Sequence, residues 1–157
     1  MSSWRIASAA RLAKRLMPAN GDMDGLLANL AQHRGRKIHV LARDFAGQPT
    51  SGLWIFAERA DYLVIDDPTT PSRRAAIICH EVAHILLGHR AQAGGAALIA
   101  AAAPDLSPEL IARAMARHSY ATQEEAEAEA LATQIATEQA VRCRSTQPGP
   151  HSIMRWR

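Results

Sequence analysis

The residues with the clearest capacity for chemistry are His80, Glu81 and His84, in the sequence His80-Glu-Val-Ala-His84. On a helix, residues four apart lie on one face, one turn apart, so both imidazoles can bind the same metal ion. Glu81 is rotated by about 100° from His80 and can reach a water in an open metal position. Zinc lowers the pKa of such a water to about 7, and a neighbouring carboxylate can take its proton. The spacing therefore predicts a zinc site with Glu81 as catalytic base.

The residues around this motif predict that its helix is buried. Apolar side chains flank it on both sides, namely Ile77, Ile78, Val82, Ile85 and Leu86. Three ionisable residues on a buried helix are costly without a compensating metal. The alternative is a chance match, expected in on the order of one chain in a hundred.

Two histidines leave zinc under-coordinated, so a third protein ligand is required. The metzincin pattern would place glycine at position 87 and histidine at position 90. Leu87 and Arg90 stand there instead, which excludes that pattern. The acid-rich segment Glu124-Glu-Ala-Glu-Ala-Glu129 is the obvious source of the ligand.

The spacing of these acids leaves several assignments open. Glu124 and Glu125 border the apolar stripe of the predicted helix, whereas Glu127 is expected to point away. Glu129 follows Glu125 by four residues, so one can bind the metal while the other orients a ligand histidine. Thr122-x-x-Glu125 is also a capping box, which would give Glu125 a structural role only.

Hydrophobic periodicity and turn signals predict an α+β fold with a small, largely antiparallel three-stranded sheet. The chain divides into one domain over residues 1–141 and a flexible tail over 142–157. The predicted helices cover 4–17, 22–34, 72–87, 107–118 and a segment from 122, and the predicted strands cover 37–41, 52–56 and 62–65. Residues 91–104 are rich in Ala and Gly and form either a loop or a poorly specified helix.

Capping residues mark the ends of two of these helices. Asp22 or Asp24 can cap the second helix and Gly35 can end it. Ser72 can cap the helix that carries the histidines, and Gly88 follows that helix as a left-handed terminator.

The composition predicts a cytoplasmic protein with neither a membrane span nor a nucleic-acid interface. The 157 residues include 48% hydrophobic and 21% charged side chains, and no apolar run reaches the roughly 20 residues needed to cross a bilayer. Cys79 and Cys143 fit neither a disulfide framework nor a cysteine zinc site. The net charge is +3, but the basic residues are scattered. Residues 1–21 lack acids, as transit peptides do, although an amphipathic first helix is the preferred interpretation.

The segment from His80 to His89, with the sheet before it and Glu125-Ala-Glu-Ala128 after it, resembles the ImmA/IrrE family of metallopeptidases. The resemblance runs from about residue 34 to 140 and is closest to short members without a fused DNA-binding domain. It includes the segments Gly52-Leu-Trp54, Ala60-Asp-Tyr62, Arg117-x-x-Tyr120 and Leu131-Ala132.

The resemblance implies a zincin-like core with His80, His84 and Glu125 as metal ligands. It also implies an endopeptidase that acts on a separate helix-turn-helix repressor in a stress, phage or mobile-element response. The chain departs from the family at Glu129, where Asn or Asp is common. It departs again at Leu131-Ala-Thr-Gln-Ile-Ala136, in place of the usual FAAxLLMP ending.

Several residues are secondary candidates. Tyr120 could donate a hydrogen bond to an oxyanion, although packing is its other interpretation. His118 could donate a proton, whereas His89 is expected to satisfy carbonyls at a helix end. Cys79 is interpreted as a buried, inert thiol. The strand 62–65 could be an edge against which an extended peptide pairs, as the resemblance suggests.

Two other functions compete with peptide hydrolysis. The chain could be a zinc-stabilised binding module or toxin component that sequesters a regulator, or it could hydrolyse a small amide. Glu81 argues against the binding module, because a purely structural metal site would not need that residue.

Overall fold

A computed structural model describes residues 2–45, 51–56, 59–67, 70–89, 92–93 and 122–147. Within these residues the chain forms four helices and four strands, which confirms the α+β class. They are α1 (Ser2–Leu16), α2 (Met23–Arg34), β1 (Lys37–Arg43), β2 (Gly52–Phe56), β3 (Ala60–Asp66), α3 (Pro71–Leu87), β4 (Gln92–Ala93) and α4 (Thr122–Thr146). The predicted helix over 107–118 and most of the segment 91–104 lie outside the described residues.

The helix ends follow from local chemistry. Asp22 caps α2 by accepting a hydrogen bond from the Gly25 N–H at 2.8 Å. Gly35 at φ 65° and Gly88 at φ 67° end α2 and α3 in the left-handed conformation, as predicted. The predicted cap of α3 was wrong, because Thr70 takes that place and Ser72 lies inside the helix.

The early start of α3 has a simple cause. Pro71 occupies the first turn, where its missing N–H costs nothing and its fixed φ already suits a helix. Thr70 is extended, and its hydroxyl accepts a hydrogen bond from the Arg73 N–H at 3.3 Å. The helix therefore begins before Ser72.

The sheet has the strand order β1-β3-β2-β4 and is mixed, so the prediction of a largely antiparallel sheet was wrong. β2 and β3 form an antiparallel hairpin pair, but β1 runs parallel to β3 over seven residue pairs. The two residues of β4, from the Ala/Gly-rich segment, run parallel to β2. Strands that follow each other in sequence usually pair, but here β1 and β2 are not neighbours, because β3 lies between them.

This strand order also corrects the prediction that residues 62–65 form a sheet edge. They belong to β3, which is paired on both sides. The edge of β2 is different, because β4 pairs only with Ile55 and Phe56 among the described residues. Gly52 and the backbone N–H of Trp54 instead lie against α3, next to Glu81.

The core lies around α3, which packs against the sheet, against α1 and against α4. The predicted apolar stripe of α4 is buried, as are two alanines of the amphipathic α1; these residues are Ala128, Leu131, Ala132, Ile135, Ala9 and Ala13. Among the described residues, no helix is both long enough and apolar enough to cross a bilayer.

The prediction of a flexible tail from Arg142 was wrong for residues 142–146, because α4 continues to Thr146, and residues 148–157 lie outside the described residues. Arg142 contributes to this extension by donating hydrogen bonds to the carbonyl oxygens of Met17 and, at 2.8 Å, Lys14. It also forms an ion pair with Glu138 at 2.7 Å. A guanidinium near a helix C-terminus is electrostatically favourable, so these bonds attach the end of α4 to the end of α1.

Candidate metal centre

Three potential metal ligands converge where α3 meets α4. His80 and His84 lie one turn apart on α3, and Glu125 reaches them from the first turn of α4. The two histidine Nε2 atoms are 3.0 Å apart. The Glu125 carboxylate oxygens lie 3.3 Å from His80 Nε2 and 3.5 Å from His84 Nε2. One ligand atom from each residue fits within 4.8 Å of the others, so this group could hold a metal ion.

The packing of α4 on α3 explains why Glu125 arrives there. Ala128 and Leu131 are fully buried on α4, and Val82 is fully buried on α3. Glu125 precedes Ala128 by three residues and so shares its helix face. The apolar stripe therefore aims this acid at the histidines.

The centre is buried on one side and open on the other. The His84 side chain is fully buried, whereas the side chains of His80 and Glu125 are 26% and 45% exposed. A bound ion would therefore be held from the protein interior while one side stayed accessible to a ligand or substrate.

The other acids at the start of α4 take separate positions. A Glu129 carboxylate oxygen lies 3.4 Å from His80 Nδ1, on the far side of that ring from Glu125. Glu124 is not part of the three-residue group. Thr122 is itself the first helical residue of α4, so it does not precede the helix as a capping-box residue does.

Glu81 is buried beside this centre and contacts the sheet. Its carboxylate accepts a hydrogen bond from the backbone N–H of Trp54 on β2. The approach requires Gly52, since a Cβ there would lie 2.6 Å from a Glu81 carboxylate oxygen and 2.6 Å from Ile77 Cγ2. The residue at position 52 therefore makes room for the carboxylate of Glu81.

The pKa of Glu81 is raised from 4.5 to about 8. Burial is the main cause, because it removes the water that would stabilise the carboxylate, and the negative charge of Glu125 adds to it. The Trp54 N–H opposes the shift by donating to the charged form. In the metal-free protein, Glu81 therefore keeps its proton at neutral pH.

Glu81→Gln should stabilise the metal-free protein at alkaline pH but not at acidic pH. Between pH 4.5 and 8 the unfolded chain loses the Glu81 proton while the folded chain keeps it, so wild-type stability falls as pH rises. Glutamine does not titrate, and the variant should gain several kcal/mol over wild type at pH 8.5. Urea unfolding of both chelator-treated proteins at pH 5 and pH 8.5 measures this. An equal difference at both pH values would contradict the raised pKa.

A buried chain of polar side chains extends behind His84. His84 Nδ1 lies 2.9 Å from Nδ1 of His89, and His89 Nε2 lies 3.3 Å from a Glu127 carboxylate oxygen. Glu127 also accepts a hydrogen bond from Gln123 at 3.2 Å. Arg5 lies 3.9 Å from Glu127 and donates to the Leu87 carbonyl at 2.6 Å.

The predictions for two of these residues, His89 and Glu127, were wrong. His89 was expected to satisfy helix-end carbonyls, but both of its ring nitrogens face side chains. Glu127 was expected to point away, yet it is 6% exposed. The spacing contained a signal, because Glu127 precedes the stripe residue Leu131 by four positions and so shares its face. An acid on a buried face needs a partner, and histidine was the nearest candidate.

The remaining candidates divide into one confirmed residue and two that are not described. Cys79 is buried, and burial raises the pKa of its thiol to about 12, as an inert cysteine requires. Tyr120 and His118 lie outside the described residues, so their proposed roles stay predictions.

A comparison of the sequence with protein-family models finds no match, and comparisons with curated proteins and with solved structures find none either.

Proposed function

We propose that this protein is a zinc-dependent endopeptidase in which His80, His84 and Glu125 bind the metal and Glu81 is the general base. The observation that carries the proposal is the convergence of the three ligand atoms with the buried Glu81 carboxylate beside them. A structural metal site would not need a buried carboxyl group next to its ligands.

The donor set suits zinc. Two imidazole nitrogens and one carboxylate oxygen, with one position open, are the ligands of catalytic zinc in several metallopeptidases. Zinc–ligand distances of about 2.0–2.1 Å in a tetrahedron place neighbouring ligand atoms roughly 3.3 Å apart. Here the two Nε2 atoms are 3.0 Å apart, one Glu125 oxygen lies 3.3 Å from His80 Nε2, and the other lies 3.5 Å from His84 Nε2. With a single oxygen of Glu125 as ligand, all three ligand atoms lie within 4.8 Å of one another, which is close enough for one ion to gather them.

The chain's own residues supply the proton transfers of peptide hydrolysis. Bound zinc supplies a Lewis acid that polarises a carbonyl group and lowers the pKa of water. Glu81 accepts a proton from the attacking water and returns it to the leaving amine nitrogen. The positive charge of bound zinc would lower the raised pKa of Glu81 toward neutrality, where the carboxylate can both accept and donate a proton.

The resemblance to the ImmA/IrrE family suggests a zincin-like arrangement and the class of substrate. In this proposal α3 is the active-site helix, packed on the mixed sheet, and α4 supplies the glutamate. The substrate is a separate helix-turn-helix repressor whose cleavage derepresses stress, phage or mobile-element genes, and the protein acts in the cytoplasm.

Mass spectrometry of cleavage products tests this proposal. The purified protein, loaded with one equivalent of zinc, is incubated with any helix-turn-helix regulator encoded beside its gene and with a library of proteome-derived peptides. We expect new peptide termini that disappear on chelation and return when zinc is added. Bound zinc without any cleavage in either sample would contradict peptide hydrolysis. A stable complex with the intact regulator would then favour the binding module.

A further inference from the structure

We propose that His89 is a positioning residue that fixes the proton of His84 on Nδ1 and thereby keeps the His84 Nε2 lone pair directed at the metal site. This inference depends on the metal binding in the proposed function, but not on hydrolysis. It gives the contacts among Glu127, His89 and His84 a role in metal binding in addition to their packing.

The argument starts at Glu127, where hydrogen bonding has a fixed direction. The Gln123 amide nitrogen donates to one carboxylate oxygen at 3.2 Å, and the Arg5 guanidinium lies 3.9 Å from the other. Both neighbours can only donate at these atoms, so the Glu127 carboxylate is an acceptor. His89 Nε2, 3.3 Å from the same carboxylate, must therefore carry a proton and donate it.

The direction then propagates to the metal site. A neutral imidazole has one N–H, so a proton on His89 Nε2 leaves His89 Nδ1 as an acceptor. Nδ1 of His84 lies only 2.9 Å from it and must be the donor. The remaining nitrogen of His84, Nε2, then carries a lone pair instead of a proton, and this is the atom that faces His80 and Glu125.

Burial makes this direction hard to reverse. His84, His89 and Glu127 are 0%, 5% and 6% exposed, so water cannot easily replace a lost partner. The reverse order would aim an imidazole N–H at the metal position and a lone pair at the Glu127 carboxylate. Both are unfavourable, and the second cannot be relieved by solvent.

His80 has a similar but more exposed hydrogen-bond partner for its Nδ1. Its Nδ1 lies 3.4 Å from a Glu129 carboxylate oxygen, which likewise favours a proton on Nδ1 and a lone pair on Nε2. The Glu129 side chain is 74% exposed, so water can substitute for it. The two histidines therefore differ, and only His84 depends on a buried partner.

Two amide substitutions at position 89 separate positioning from packing. Asparagine places its Oδ1 where His89 Nδ1 stands, so His89→Asn keeps the acceptor for His84. Glutamine places its amide group near the position of Nε2, so His89→Gln loses that acceptor while retaining polarity and bulk. His33→Asn, at an exposed histidine on α2, is the matched control.

Zinc affinity, measured by competition with a chromophoric chelator, should fall about 10–100-fold in His89→Gln and His89→Ala. His89→Asn and His33→Asn should stay close to wild type. In zinc-loaded wild type, ¹⁵N NMR of labelled histidines should show His84 protonated on Nδ1 and His89 unprotonated on Nδ1.

The outcomes distinguish this inference from the proposed function. If wild type binds zinc but His89→Asn and His89→Gln reduce its affinity equally, or not at all, His89 is only a packing residue and the inference fails alone. The opposite His84 tautomer in the NMR spectrum would overturn it as well. If wild type binds no zinc, the inference and the proposed function fail together. If His89→Ala does not fold, the comparison of His89→Asn with His89→Gln still decides whether His89 is a positioning residue.

Discussion

Replacing Glu125 by glutamine is expected to lower zinc affinity by more than the roughly 100-fold loss that follows from removing a group outside the ligand set. Glu125 is the only carboxylate among the described residues that approaches Nε2 of both His80 and His84, at 3.3 and 3.5 Å. Glutamine preserves its size but removes the negative charge that a zinc ligand supplies. His80→Ala and His84→Ala should likewise abolish stoichiometric zinc, which metal analysis of the purified proteins would show.

Glu124→Gln is the matched control, because Glu124 adjoins Glu125 but lies outside the three-residue group. Both acids lie in the first turn of α4, where a negative charge stabilises a helix by about 0.3–1 kcal/mol. The two variants therefore lose the same helix-dipole stabilisation, so a larger loss of zinc affinity in Glu125→Gln reports on metal binding. Glu129→Gln should show an intermediate loss, since its carboxylate contacts His80 only at Nδ1.

A different result would reassign the site. If Glu125→Gln retained wild-type zinc affinity and melted slightly earlier, its role would be that of a helix-start residue. Glu129 would then be the next ligand candidate, because it is the other acid in contact with His80.

The extent to which the sequence predicted this site depends on how local each feature is. The alignment of His80 and His84 is set by helical geometry within one turn, so spacing alone predicted it. Glu125 is different, because four acids fall within six residues of α4 and their direction depends on how that helix rotates on α3. The buried face that sets this rotation includes Glu127, which was predicted to be exposed because its side chain is charged.

The contacts of Glu81 and the sheet order are less local still. Glu81 reaches β2 because Gly52 lacks a side chain, and the N–H that it accepts belongs to Trp54, 27 positions earlier in the chain. The sequence showed where the strands lie, but not that β3 inserts between β1 and β2. Both strand orders bury the same apolar faces, so the pattern of hydrophobic residues does not choose between them.

The polar side chains behind His84 come from segments that are far apart in the sequence, so no local sequence pattern predicts their contacts. Arg5 comes from α1, His89 follows α3, and Glu127 lies on α4. Each looks ordinary alone, since an arginine near a terminus and an acid in an acid-rich helix are usually solvated. Only the packing of the three helices brings them together, with His89 and Glu127 buried and Arg5 half-exposed beside them.

Glu81→Gln should abolish peptide hydrolysis while leaving the zinc and the fold in place. Loss of a general base typically costs about 10²–10⁴ in rate, which is enough to remove visible cleavage from an ordinary assay. The glutamine oxygen can still accept a hydrogen bond from the Trp54 N–H, and the metal-free variant should be at least as stable as wild type at neutral pH, because glutamine does not have to take up a proton on folding as Glu81 does. Loss of activity therefore could not be attributed to misfolding.

The same variant separates an endopeptidase from a binding module in cells. We expect Glu81→Gln to bind its partner regulator as wild type does, but neither to cut it nor to derepress the regulator's target genes. Glu138→Gln is the control, because Glu138 pairs with Lys14 and Arg142 at the opposite end of α4 and should leave both cleavage and derepression intact. Target-gene transcription and the length of the regulator are measured in the same cultures. If Glu81→Gln derepressed those genes as fully as wild type while the regulator stayed whole, the function would be sequestration, with zinc stabilising the binding surface.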